Sequence, residues 1–121
     1  MPPPPVPAAA VAAALPEIWS PRIVAALNDE HVKVARVHGA FVWHAHDATD
    51  ELFLVLDGRL RIDFEDGAAD LGPGELLVVP RGVRHRPVAA EPCCLLLVER
   101  AGTVNTGDAG GALTARGDTW A

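Results

Sequence analysis

The chain has only two cysteines among its 121 residues, and they are neighbours, Cys93 and Cys94. Adjacent side chains of a strand point to opposite faces, so an ordinary disulfide between them is geometrically unfavourable. Both read as small buried hydrophobes within CCLLLVE. Long apolar runs are also missing: none approaches the roughly 20 residues that a bilayer-crossing helix needs, so no membrane-spanning helix is expected. Basic residues are few and scattered, ten against sixteen acidic ones, for a formal net charge of −6. With no basic stripe, neither nucleic acid nor an anionic membrane is expected as a partner. The N-terminal stretch MPPPPVPAAAVAAALPEIW has no Lys or Arg ahead of its apolar part, and successive prolines stand where a secretory signal carries its basic region. A cytoplasmic protein is the expectation.

At this length the chain is one domain, large enough to bury a core. Residues 1–20 read as a Pro/Ala-rich lead, flexible or forming a short helix. Residues 21–100 read as a β-barrel, and residues 101–121 as a Gly-rich extended tail that packs on the barrel or on a partner subunit. From about residue 32 no helical period is present. KVARV leads through Gly39 into FVWHAH, and ELFLVL is followed by Asp57-Gly58, a dipeptide that favours a tight hairpin turn. In RLRIDFE, Leu60, Ile62 and Phe64 alternate with charged residues, the pattern of a strand with one wet face. Asp66-Gly67 marks another turn, LGPGELLVVP is turn then strand, and CCLLLVE is a further strand. Short strands at regular spacing indicate an antiparallel sandwich or barrel.

ELFLVL and CCLLLVE are apolar on both faces. Something must cover their outer sides, and the choices are the N-terminal segment, the tail or a second subunit, which makes a homodimer the expectation. Trp120 is expected to pin the tail to the barrel. Arg116-Gly117-Asp118 spells a cell-adhesion tripeptide, and a three-residue match is far more often chance than function.

Chemistry concentrates in WHAHDATDELF. Residues two apart on a strand share a face, so His44 and His46 project together, in line with Val42, while Phe41, Trp43 and Ala45 point the other way. Strand rise puts their Cα atoms roughly 6 to 7 Å apart, close enough for both imidazoles to reach one ion. Asp47 to Asp50 let the chain reverse, and Glu51 opens the next strand, its carboxylate returning to the same place. Two histidines and a carboxylate on one side of a metal form a facial set. Downstream, in PGELLVVPRGVRHRP, Pro80 ends a strand, Gly82 permits a turn, and His85 opens the returning strand as a third imidazole. Phe53 and Val55 share the face of Glu51 and, with Val42, are expected to line the cavity. Arg84 and Arg86 share a face opposite His85 and read as surface or interface residues. Trp43 reads as outer packing, His31 and His38 as surface histidines, and Asp50 as part of the turn.

These residues resemble the cupin family. Its first motif runs Gly, spacer, His-x-His, three or four residues, Glu, six residues, Gly; here Gly39, His44, His46, Glu51 and Gly58 stand at those places. Its second runs Gly, five residues, Pro-x-Gly, two residues, His; here these are Gly74, Pro80, Gly82 and His85. The segment from about Pro21 to Thr106 is similar to short single-domain bacterial cupins with no assigned reaction. Two departures occur. Four residues rather than five separate Gly39 from His44, and Ala89 stands where the family's second motif carries Asn.

The resemblance implies an all-β, antiparallel double-stranded β-helix (a jelly-roll barrel). It implies His44, His46, Glu51 and His85 as ligands of one divalent transition metal ion (Fe, Mn, Zn, Ni, Co or Cu), with open positions for water, dioxygen or substrate. Three functions compete. The first is a metalloenzyme acting on a small organic substrate, dioxygenase-like in preference to isomerase-like. The second is a non-catalytic metal-containing barrel that binds or senses a small ligand. The third is a structural barrel whose histidines bind nothing. The same barrel hosts many reactions, so the fold does not choose among them.

Overall fold

A computed structural model describes residues 1–121. One short helix, α1 (Ala8–Ala13), precedes seven strands: β1 (Arg22–Leu27), β2 (Glu30–Ala40), β3 (Glu51–Asp57), β4 (Leu60–Phe64), β5 (Gly67–Leu71), β6 (Leu76–Val79) and β7 (His85–Arg100). All pairings between these strands are antiparallel. The architecture is the all-β jelly-roll barrel that the strand pattern and motifs call for.

The sixteen-residue β7 organises the barrel. Its second half, Cys93 to Arg100, lies between β2 and β3, and its first half pairs with β4 and with the end of β2. Pairing of β2 with β7 slips between Val37 and Gly39, where the partner jumps from Cys93 to Ala89. That bulge lets one strand bend around a corner and serve both halves. Gly58 sits at the same corner with φ +86, and a β-carbon on it would lie 2.8 Å from the Pro92 carbonyl oxygen. Asp57-Gly58 is therefore a bend and not the hairpin its composition favours. Strands β3 and β4 continue in one direction along β7 and never pair with each other. The hairpin forms one turn later, where Phe64 pairs with Gly67 across a two-residue loop.

Alternation sorts the residues between two clusters. Inside the barrel lie Ala35, Val37, Phe53, Val55, Leu60, Ile62, Cys93, Leu95 and Leu97. Outside, Ala12 of α1 and Leu15 just beyond it lie over Val34 and Cys94, with Leu56 at the margin. The two cysteines thus fall on opposite faces and are both free and buried. Strand β1 was not evident in the sequence, because RIVAAL is short and one Ala-rich turn resembles another; Asn28, with φ +53, reverses the chain into β2.

The tail is held by its backbone and its polar side chains. Thr119 and Ala121 exchange hydrogen bonds with Ile23 at 2.8 and 3.0 Å, while the Trp120 residue is 57% exposed. The tryptophan ring therefore does not pin the tail. Asp118 does part of that work, accepting hydrogen bonds from Lys33 Nζ at 3.2 Å and from the Gly102 amide at 2.6 Å. Within the Arg-Gly-Asp tripeptide, Asp118 is a structural anchor.

Candidate metal centre

Residues 41 to 46 do not form the continuous strand that FVWHAH predicts. They carry a single bridge, His44 to His85, and run beside residues 82 to 87. The His44 and His85 backbones exchange hydrogen bonds at 3.0 and 2.9 Å, the Phe41 amide donates to Pro87 O at 2.9 Å, and the Gly82 amide donates to His46 O at 2.9 Å. Freed from a full ladder, the segment departs from strict alternation. Phe41 and Ala45 are buried with the two histidines, while Val42 and Trp43 are half-buried. Phe41 stacks on Trp19 and meets the His44 ring edge-on at 5.3 Å.

The structure brings His44, His46, Glu51 and His85 together, all buried, with one ligand-type atom from each lying within 4.8 Å of the others. Backbone carbonyls set two of the imidazoles. Nδ1 of His44 faces Val42 O at 3.0 Å, and Nδ1 of His85 faces Val83 O at 2.9 Å. Each Nδ1 must carry the proton it donates, so the Nε2 of both rings keeps its lone pair. Glu51 Oε1 lies 3.3 Å from His46 Nε2 and 3.5 Å from His85 Nε2. None of these three atoms has a hydrogen-bond partner. Buried lone pairs and a carboxylate oxygen converging without a donor is an arrangement that a cation relieves. The donor set, three imidazole nitrogens and one carboxylate oxygen, suits a divalent transition ion.

Electrostatics follow from this packing. Burial, then the neighbouring His85, lowers the His44 pKa to about 4, so its ring is neutral and ready to ligate. Burial alone would raise the Glu51 carboxyl, but the His46 and His85 imidazoles and the adjacent Glu99 hold it well below the usual range. Glu99 is pushed the other way, to about 9, by burial and by Glu51. Two carboxyls side by side in one interior cannot both ionise, and the one facing three imidazoles keeps the charge.

Glu99 is a member of the site that the sequence reading missed. It is 2% exposed, and its Oε1 accepts from Lys33 Nζ at 3.1 Å. Lys33 continues the chain to Asp118, which lies 3.6 Å from His31 Nδ1. A signal was available. Glu99 follows Cys93, Leu95 and Leu97 at the inward spacing of two, and Lys33 precedes Ala35 and Val37 in the same way. His31 is correspondingly half-buried beside Asp118, whereas His38 is exposed.

The tail contributes too. Asp108 Oδ1 accepts from the Ala45 amide at 2.8 Å, and its own amide donates to Ala45 O at 3.1 Å, clamping the peptide between the two motif histidines. Asp50 is exposed and binds the Arg81 amide at 2.9 Å, tying the turn after His46 to the Pro-x-Gly turn before His85. Arg84 is exposed, and Arg86 pairs with Asp63 at 2.8 Å and lies over the Trp43 ring, outside the barrel.

An apolar recess of ≈ 360 Å³, counting its mouth, adjoins His44 and Glu51. Its walls include Phe41, Phe53, Leu95, Leu97 and Trp19, and Asn105 brings the one amide side chain to it. Phe53 lines it as expected. Val55 does not, being fully buried deeper in the core, and neither does Val42, which packs half-buried against the core without reaching the recess. No lysine or arginine reaches the recess.

Comparison with known proteins gives the family of the chain. The cupin domain pattern matches residues 31–99, and the chain belongs to the cupin family. It is 42% identical over 64 residues to YdbB, an uncharacterized protein of Bacillus subtilis, covering 52% of this chain and 57% of that one. It is 48% identical over 44 residues to a homogentisate 1,2-dioxygenase of Bradyrhizobium diazoefficiens, which is 36% of this chain and 10% of the dioxygenase. The chain thus spans little more than half of one curated relative and a tenth of the other. Among solved structures, a cupin-2 domain containing protein from Shewanella frigidimarina superposes with a TM-score of 0.71 at 43% identity, covering 73% of this chain and 86% of that one.

Proposed function

We propose that the protein is a metal-dependent enzyme acting on a small, largely apolar organic substrate, with dioxygenase-like chemistry. The observation that carries this is the convergence of His46 Nε2, His85 Nε2 and Glu51 Oε1, buried and unpartnered, with Glu51 and His44 also lining an apolar recess. His44, His46, Glu51 and His85 would hold the ion, which supplies Lewis acidity and, for a redox metal, a path for electrons. The chain's own residues do the rest. The Val42 and Val83 carbonyls fix the tautomers of His44 and His85, and the rings of Phe41 and Phe53 exclude water. The short stretch shared with a homogentisate 1,2-dioxygenase supports an oxygen-using reaction.

The test is elemental analysis of untagged protein, followed by oxygen uptake by iron- and manganese-loaded protein over a panel of small aromatic and enolic compounds. Absence of oxygen consumption across the panel sinks the redox reading, leaving isomerisation on a non-redox metal. A non-catalytic sensor barrel is the second reading, favoured by one observation: beyond the proposed ligands, only Asn105 brings a polar side chain to the recess, and an amide is neither acid nor base. Ligand binding that persists after the metal is removed would support it.

The outer face of the sheet supports a homodimer. Val78, Leu52, Val98 and Val32 form one cross-strand row, and Leu76, Leu54 and Leu96 form the next. Leu76 and Val78 are 59% and 48% exposed on β6, which ends the sheet. Sedimentation equilibrium on Val78→Lys should shift the protein to monomer.

A further inference from the structure

Trp19 occupies a position that the proposed chemistry does not explain. It lies between two spaces. On one side is the recess beside His44 and Glu51; on the other is an outer groove between Glu17–Arg22 and residues 112–116 of the tail, and Trp19 lines both. The free interior of the recess admits only a few waters while this ring is in place. By way of this recess an organic molecule cannot reach His44 and Glu51 without displacing something.

Three ties hold Trp19, each to a different place. Its amide donates to Arg36 O at 3.0 Å, its indole Nε1 donates to His38 O at 3.0 Å, and its carbonyl accepts from Asn105 Nδ2 at 3.0 Å. Its ring stacks on Phe41 with centroids 4.7 Å apart, and Phe41 abuts His44. Its backbone has φ +56. A bulky residue in the left-handed region is strained and persists only where its surroundings impose it, and such strain gathers at ligand clamps and moving parts. Asn105 spans the arrangement, since the same amide also donates to Leu113 O, at 2.9 Å, on the groove side.

We infer that Trp19 is the specificity-determining residue of the site, a gate between groove and recess that Asn105 latches from the tail. In its seat it limits the site to ligands of a few atoms, and a ring-sized ligand enters from the groove when the indole leaves Phe41. This rests on the proposed metal site for its function, though not for its geometry.

The test uses cobalt(II)-loaded full-length protein, with the visible spectrum of the ion reporting access of azide and of phenol. Trp19→Gly removes the gate and adopts φ +56 without strain. Asn105→Ala removes the latch and leaves the core intact should the glycine variant fold poorly. Phenol should associate about tenfold faster in Trp19→Gly and roughly fivefold faster in Asn105→Ala, the latter being the effect of losing the one hydrogen bond from Asn105 that reaches Trp19, with azide unchanged. Equal phenol rates in the three proteins overturn the gate. Failure to take up cobalt refutes the metal reading instead. The gate is then read on metal-free protein by the rate at which diethyl pyrocarbonate modifies His44, which should rise in both variants; an unchanged rate overturns it.

Discussion

His44 and His85, from motifs far apart in the chain, are joined twice. Their backbones exchange hydrogen bonds at 3.0 and 2.9 Å, and their rings sit 4.3 Å apart between centroids. The pair forms the isolated β-bridge between residues 41–46 and the start of β7, with the Phe41 amide to Pro87 O hydrogen bond beside it. The same link that closes this end of the barrel therefore sets the distance between two proposed ligands. Positions in the ligand set are fixed by backbone, and the charge on Glu51 is what a bound cation would balance.

Replacing that charge separates binding from folding. Glu51→Gln keeps the side-chain volume and removes a buried carboxylate whose Oε1 has no hydrogen-bond partner. Metal-free Glu51→Gln should still fold, since it loses the attraction of the His46 and His85 imidazoles for the carboxylate together with the cost of burying it, a net change of about 1 kcal/mol. Its zinc affinity, measured by competition with a chromogenic chelator, should fall by more than about 100-fold, above the 10- to 100-fold that outlying partners of a metal site produce. Undiminished zinc affinity would remove Glu51 from the ligand set.

The pH dependence of the metal-free protein combines two opposed groups. His44 is depressed from 6.5 to about 4, so the unfolded chain binds its proton more readily, and stability is lost as pH falls from 6.5 toward 4. Glu99 is raised from 4.5 to about 9, so its contribution is complete below 4.5 and is lost as pH rises toward 9. Between pH 5 and 7 the two nearly cancel. In Glu99→Gln the histidine acts alone, and stability from urea unfolding should drop by about 2 kcal/mol from pH 7 to pH 5. A flat profile in that variant would refute the neutral, buried state assigned to His44.

Lys33 is the sole cation facing Glu99, 4% exposed, and it also holds Asp118 of the tail. Lys33→Met leaves both carboxylates without it. The expected loss is about 3 kcal/mol at pH 8, the lower end of what breaking a buried pair costs, since Glu99 escapes part of it by staying protonated. Asp118 is partly solvated, so Asp118→Asn should cost no more than about 1 kcal/mol. Denaturant titrations of the two variants should keep that order, and the reverse order would place the anchor in the tail.

How far the sequence carried the reading depends on periodicity. His-x-His, Glu51 and His85 were legible because each motif is local, and the barrel followed from β4 and β7, whose alternation survives in the structure. Asp57-Gly58 misled because its composition reports a reversal, whereas a bulge in β7 and the closeness of the Pro92 carbonyl make it a bend. Phe41 was assigned to the wrong side because alternation holds only along a full ladder, and this segment has one bridge. Trp19, Asn105 and Asp108 act through the meeting of chain ends, and no local pattern encodes which end meets which. Glu99 and Lys33 were legible in principle, as charges at inward positions of apolar strands.

Gly107 tests whether the tail belongs to the site. It has φ +54, and a β-carbon there would overlap the Ala45 carbonyl and lie 3.1 Å from His46 Nδ1. The neighbour is backbone, clamped by Asp108, so it cannot swing aside. Gly110 has φ +64 and open space around it, and serves as the control. Gly110→Ala should cost only the left-handed penalty, about 1 kcal/mol, with zinc affinity unchanged. Gly107→Ala carries that penalty and the overlap, so it should cost about 3 kcal/mol. By pushing residues 45 and 46 from their seat it should also weaken zinc binding by roughly 10-fold or more. Zinc affinity that is equal in the two variants would show that the tail covers the barrel without positioning His46.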